Sequence, residues 1–97
     1  MRLIEEGGRI EVARGEVFAI TRRGLEGAGY RTSVQVPDGV SHVGTPEMSS
    51  ATAVFGGRPR IAEQFRCERA GEFDVRFVSA RPWAEGDHVV VSRVICR

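Results

Sequence analysis

The 97-residue chain is 41% hydrophobic and 28% charged, ordinary values for a folded soluble protein. Its length suits one domain, residues 1–97, with a modest core. Fourteen basic residues against thirteen acidic ones leave a formal net charge of +1, which excludes a bulk field aimed at nucleic acid or an acidic membrane. All fourteen are Arg and none is Lys, so Schiff-base and phosphate-loop lysine chemistry is excluded.

The opening Met1-Arg2-Leu3-Ile4-Glu5-Glu6 lacks the apolar stretch of a signal peptide, and no apolar run is long enough to span a bilayer. The chain is expected to be cytoplasmic if Met1 is the native start, and periplasmic or secreted if a leader was removed. Ile10, Val12 and then Val17 to Ile20 form short runs split by Ala13-Arg14-Gly15-Glu16, which reads as a hairpin turning at Gly15. Tyr30 to Val36 alternates in polarity and stops at the turn tripeptide Pro37-Asp38-Gly39. Val40 to Val43 is a short strand ending at Gly44-Thr45-Pro46. Met48 to Pro59 has no steady period and reads as a long loop, with room for a short helical turn. Ile61, Glu63, Phe65 and Cys67 share one face of the next strand. Ala70-Gly71-Glu72 turns it into Phe73, Val75, Phe77 and Ser79. His88 to Cys96 is the last strand. About seven short strands at 8–12-residue spacing predict an all-β, antiparallel sandwich of the immunoglobulin-like kind.

The residues offer little catalytic chemistry. Cys67 and Cys96 lack CxxC spacing and paired histidines, which argues against zinc. They read as small buried hydrophobes, with a single disulfide between two late strands as the alternative. Cys67 is expected to be buried and reduced, because it shares a face with Ile61 and Phe65; a thiol there is inert as a partner for His42 or His88. The carboxylate pairs Glu5-Glu6 and Glu85 with Asp87 have no neighbour to split their acidities. Gly24-Leu25-Glu26-Gly27-Ala28-Gly29 is GxxGxG, not the dinucleotide fingerprint, and no helix follows. The arginines from Arg58 to Arg81 are interleaved with acids, and Phe65, Phe73 and Phe77 point inward, against an RNA-binding face. No enzyme activity, metal or cofactor is expected.

Three connections are longer than a small sandwich needs: Arg22 to Tyr30, Thr45 to Arg60, and Ala80 to Asp87. Loops joining alternate strand pairs of a sandwich emerge at one end, as antibody binding loops do. Trp83, the only tryptophan, follows Pro82 and stands near Arg81, the composition of an interface anchor. The competing reading folds Trp83 back over the end of the core with Arg81 stacked on it.

These residues resemble the chagasin family of inhibitors of papain-like cysteine peptidases. Gly8 to Val17 is similar to the family's opening strand and Val/Ala-x-Gly-Glu/Asp turn. Gly29-Tyr30 falls at the end of its Asn-Pro-Thr-Thr-Gly-Tyr loop. Arg69-Ala70-Gly71 before Phe73 to Phe77 resembles its Ala-Gly hairpin, and Arg81-Pro82-Trp83 matches its Arg-Pro-Trp motif. Three features depart: Gly27 and Ala28 stand for the two threonines, Thr32 stands for a tryptophan, and Gly56-Gly57 keeps only part of a Gly-x-Gly-Gly loop.

The resemblance implies an immunoglobulin-like fold and a reversible inhibitor, expected to be a monomer, whose three loops wedge into the peptidase cleft. Gly27, Ala28, Gly29 and Tyr30 would cover the nucleophile. Gly56 and Gly57 would approach the groove by backbone, and Arg81, Pro82 and Trp83 would pack on the far side. Loss of the threonine contacts would weaken binding by about 0.5–3 kcal/mol. The alternative is a non-inhibitory Ig-like module that uses the same loops for another protein.

Overall fold

The computed structural model describes residues 1–24, 30–44, 60–81 and 87–97. They form eight strands: β1 (Arg2–Glu5), β2 (Arg9–Val12), β3 (Val17–Arg23), β4 (Arg31–Gln35), β5 (Val40–Gly44), β6 (Arg60–Cys67), β7 (Gly71–Ala80) and β8 (Asp87–Cys96). Among the described residues there is no helix. The strands make two four-stranded sheets, in the orders β1-β3-β6-β5 and β2-β8-β7-β4. The predicted all-β sandwich is therefore what forms, with one strand more than the sequence pattern indicated and with two parallel pairings, β1–β3 and β2–β8, among the expected antiparallel ones.

Alternation decides which side chains face the core. On β7, Val75, Phe77 and Ser79 are buried while Glu72, Asp74 and Arg76 are exposed, the period-two pattern of a half-buried strand. Phe18, Ile20, Phe65, Val75, Phe77 and Val94 fill the space between the sheets. The Phe65 ring stacks on Phe18 of its own sheet at 5.7 Å and meets Phe77 of the other edge-on at 6.2 Å. Offset and edge-to-face geometries of this kind add to the stabilisation from burial alone.

The expected hairpin around Gly15 does not form. β2 pairs in parallel with β8, whereas β3 pairs in parallel with β1 in the opposite sheet. The turn itself is real: Glu16 N donates to Ala13 O at 3.0 Å, and Gly15 has φ +85°. It carries the chain across the sandwich rather than back along the same sheet. Four extended residues reach about 13 Å and the sheets lie about 10 Å apart, so a crossing and a return are equally feasible locally. Ala70-Gly71 likewise takes the chain from β6 in one sheet to β7 in the other.

The cysteines are joined, contrary to the expected free thiol. Cys67 and Cys96 form a disulfide with Cα atoms 5.9 Å apart, within the ordinary range for such a bond. Both are buried, at 0% and 3% exposure, so the expected burial of Cys67 holds and its reduced state does not. The bond links β6 to β8 and hence one sheet to the other. The face of each strand shows that both cysteines point inward. That they meet depends on the relative height of the two sheets, which no local pattern reveals.

Candidate functional site

The ladder registers bring the ends of the three long connections to one pole. In the first sheet Arg23 at the end of β3 lies opposite Arg60 at the start of β6. In the second, Ala80 at the end of β7 lies between Arg31 at the start of β4 and Asp87 at the start of β8. A cavity of about 350 Å³ lined by Arg22, Arg23 and Arg60 from the first sheet and by Phe77, Ser79 and His88 from the second joins these ends. The disulfide sits at the other end of β6 and β8.

The core becomes polar toward this pole. Along the inward face of the β4–β7 ladder, Val34 opposite Phe77 gives way to Thr32 opposite Ser79. The two hydroxyls share a hydrogen bond at 2.8 Å, which satisfies groups that would be costly to bury unpaired. In the other sheet Glu63 is 1% exposed and lies 3.1 Å from His42 Nε2. The imidazole also stacks on Phe65, with centroids 5.1 Å apart. Arg22 is buried too, and its Nη1 donates to Arg23 O at 3.2 Å.

Cationic groups collect here with partial compensation. Arg60 Nη2 is 4.0 Å from Glu5 Oε1, and Glu6 Oε1 accepts a bond from Arg23 N at 3.2 Å. Glu5 thus faces a guanidinium, whereas Glu6 is bonded to a backbone N–H. The disulfide removes both cysteines as thiols, and with them the Cys–His pair weighed from the sequence. Among the described residues no group of three or more His, Cys, Asp or Glu could hold a metal ion, and no helix is long and apolar enough to cross a membrane.

Of the sequence-predicted site residues, Tyr30 and Arg81 fall within the described residues and meet. Arg81 Nη2 donates to Tyr30 Oη at 2.6 Å, and its Cζ lies 4.3 Å from the Tyr30 ring centroid. Gly27, Ala28, Gly29, Gly56, Gly57, Pro82 and Trp83 lie outside the described residues. Sequence reasoning weighed His88 only as a partner for a thiol and not as a neighbour of Tyr30, whose ring it meets edge-on at 5.3 Å. A signal was present: His88 stands at the first inward position of β8, opposite Ser79. It also passed over the burial of Arg22, although the alternation of β3 places this residue in phase with Phe18 and Ile20.

No family model matches the chain, and no curated protein sequence does. Solved structures do. The cysteine protease inhibitor EhICP2 from Entamoeba histolytica superposes with a TM-score of 0.73 over 99% of this chain and 94% of its own, at 14% identity. The fold is shared. Amebosin, solved in solution, gives 0.69 at 21% identity over 100% of this chain and 99% of its own. PbICP-C, solved in complex with falcipain-2, gives 0.58 at 16% identity over 99% and 92%. The match covers nearly all of this chain and at least 92% of each of these neighbours.

Proposed function

We propose that this protein is a reversible proteinaceous inhibitor of papain-like cysteine peptidases and has no catalysis of its own. The observation that carries the reading is the convergence of the three long connections on one pole of this fold. Arg81-Pro82-Trp83 and Gly29-Tyr30, two of the motifs that resemble the chagasin family, both belong to those connections. The structural likeness to a named cysteine protease inhibitor and to a protein solved with falcipain-2 supports it.

In this reading Gly27, Ala28 and Gly29 present a narrow tip over the peptidase nucleophile. Gly56 and Gly57 bring bare backbone to one side of the groove, while Pro82 and Trp83 anchor the other. Tyr30 and Arg81 stand at the base. Inhibition follows from a surface whose ordering entropy is already spent in folding, so that little is lost on association. The Cys67–Cys96 disulfide supports an oxidising compartment, periplasmic or extracellular, as the place of action.

The test is titration of papain and a panel of papain-like peptidases with the purified protein, using a fluorogenic peptide substrate. Competitive, reversible inhibition is expected, with the inhibitor recovered uncut by mass spectrometry. No inhibition across the panel would overturn the reading in favour of a non-inhibitory binding module.

A further inference from the structure

We infer that Tyr30 and Arg81 are positioning residues: they form a clasp that ties the end of the 24–30 connection to the start of the 81–87 connection, with His88 seating the Tyr30 ring. This deepens the inhibitor reading and rests on it for its effect on peptidase binding. The clasp itself stands on side-chain geometry in the free protein.

The β4–β7 ladder places the pair. Its last described pairing is Arg31 with Ala80, so Tyr30 and Arg81 are the next opposed positions outward. They carry the parity of Thr32 and Ser79, and therefore continue the inward column beyond those hydroxyls. Strand pairing thus extends one step into the two connections through side chains instead of backbone.

Both groups that could serve a partner are engaged internally. The guanidinium lies 4.3 Å from the Tyr30 centroid and donates from Nη2 to the phenolic oxygen at 2.6 Å. Arg81 Nε is buried and has no hydrogen-bond partner among the described residues, while the residue as a whole is half-buried. A partly desolvated cation over an aromatic face is held more strongly than a fully exposed one, and the charged donor strengthens the bond to the hydroxyl. The ring also meets His88 edge-on, at 5.3 Å and 75°. Tyr30 is thereby held at once from the residue that follows β7 and from β8.

The experiment uses Tyr30→Phe, which removes only the acceptor oxygen, Arg81→Ala, and the double variant. In the free protein, hydrogen–deuterium exchange is followed by mass spectrometry over 24–30 and 81–87. Arg81→Ala is expected to accelerate exchange several-fold in 24–30, across the sheet from the substitution, and Tyr30→Phe to do the same in 81–87. Against papain, Arg81→Ala should weaken inhibition about 10-fold and Tyr30→Phe about 3-fold, with the double variant no weaker than Arg81→Ala, since paired groups are not additive. Acceleration confined to the connection that carries the substitution overturns the clasp. So do losses that multiply to about 30-fold, the behaviour of two independent contacts with the enzyme. If Arg81→Ala does not fold, the near-isosteric Tyr30→Phe decides the question by its exchange in 81–87. If the wild type does not inhibit papain-like peptidases, the inhibitor reading fails, while the exchange arm still decides the clasp.

Discussion

Reduction of the Cys67–Cys96 bond should destabilise the protein substantially while leaving its loop pole intact. The bond joins residues 29 apart in sequence. The chain-entropy relation for a closed loop of about 30 residues gives roughly 3.6 kcal/mol at 25 °C. Both sulfur atoms lie in the core, where two thiols pack as small hydrophobes, so cavity formation adds little on reduction. At about 4–8 °C per kcal/mol for a domain of this size, the melting temperature should fall by roughly 15–30 °C. The assay is far-UV circular dichroism melting of the oxidised protein beside a sample reduced in denaturant and refolded under phosphine. Burial should also protect the native bond from the mild thiol used in cysteine peptidase assays. Inhibition measured at 25 °C should then be the same for both forms, provided the reduced form remains folded, because the bond lies at the pole opposite the loops. Melting within about 2 °C for the two forms, a difference worth under ~0.5 kcal/mol, would refute the staple reasoning. A large loss of inhibition by a folded reduced form would refute the separation of the two poles.

Three further outcomes are expected. Trp83→Ala should weaken peptidase inhibition by about 2 kcal/mol or more with little change in melting temperature, as an interface anchor does; a loss of about 3–5 kcal/mol in stability with an unchanged inhibition constant would instead mean a core cap. His42→Ala should cost about 1–3 kcal/mol in denaturant unfolding, because it removes the 3.1 Å partner of buried Glu63 and the stack on Phe65; a change under ~0.5 kcal/mol, the size of an ordinary surface substitution, would contradict this. Gly39→Ala should destabilise more than Gly15→Ala, although both replace glycines of positive φ: a Cβ at Gly39 would stand 2.5 Å from the Phe73 ring, whereas one at Gly15 meets nothing within 4 Å. Equal losses in chemical denaturation would show that the ring moves aside freely.

Much of the candidate site was legible as positions along the chain and little of it as geometry. The alternation of β4 and β7, with the lengths of the three connections, marked Tyr30, Arg81 and the segments near them. It carried no information that the Arg81 guanidinium turns onto the Tyr30 ring. Composition favours a partner-facing arginine and an inward one equally, and the opposed ends of β4 and β7, which give Arg81 the parity of Ser79, separate them. His88 was weighed as a reactive group, whereas its contact is with an aromatic edge that comes from another strand.

Seven of the eight described strands and their inward faces were legible in the sequence, since a period of two with Gly and Pro turns is a local property that each strand expresses alone; β1, four residues with no buried position, shows no such period. Phe65, Cys67, Val75 and Phe77 face the core as their alternation requires. Which strand pairs with which was decided by tertiary structure: the four residues between β2 and β3 serve a crossing as well as a hairpin, and the parallel pairings with β8 and β1 involve partners distant in the chain or of indifferent local pattern. The disulfide belongs to the same class. Cys67 and Cys96 each carry an inward orientation from their own strands, but their meeting depends on the stacking of two sheets, a relation between surfaces that is absent from any single stretch of chain.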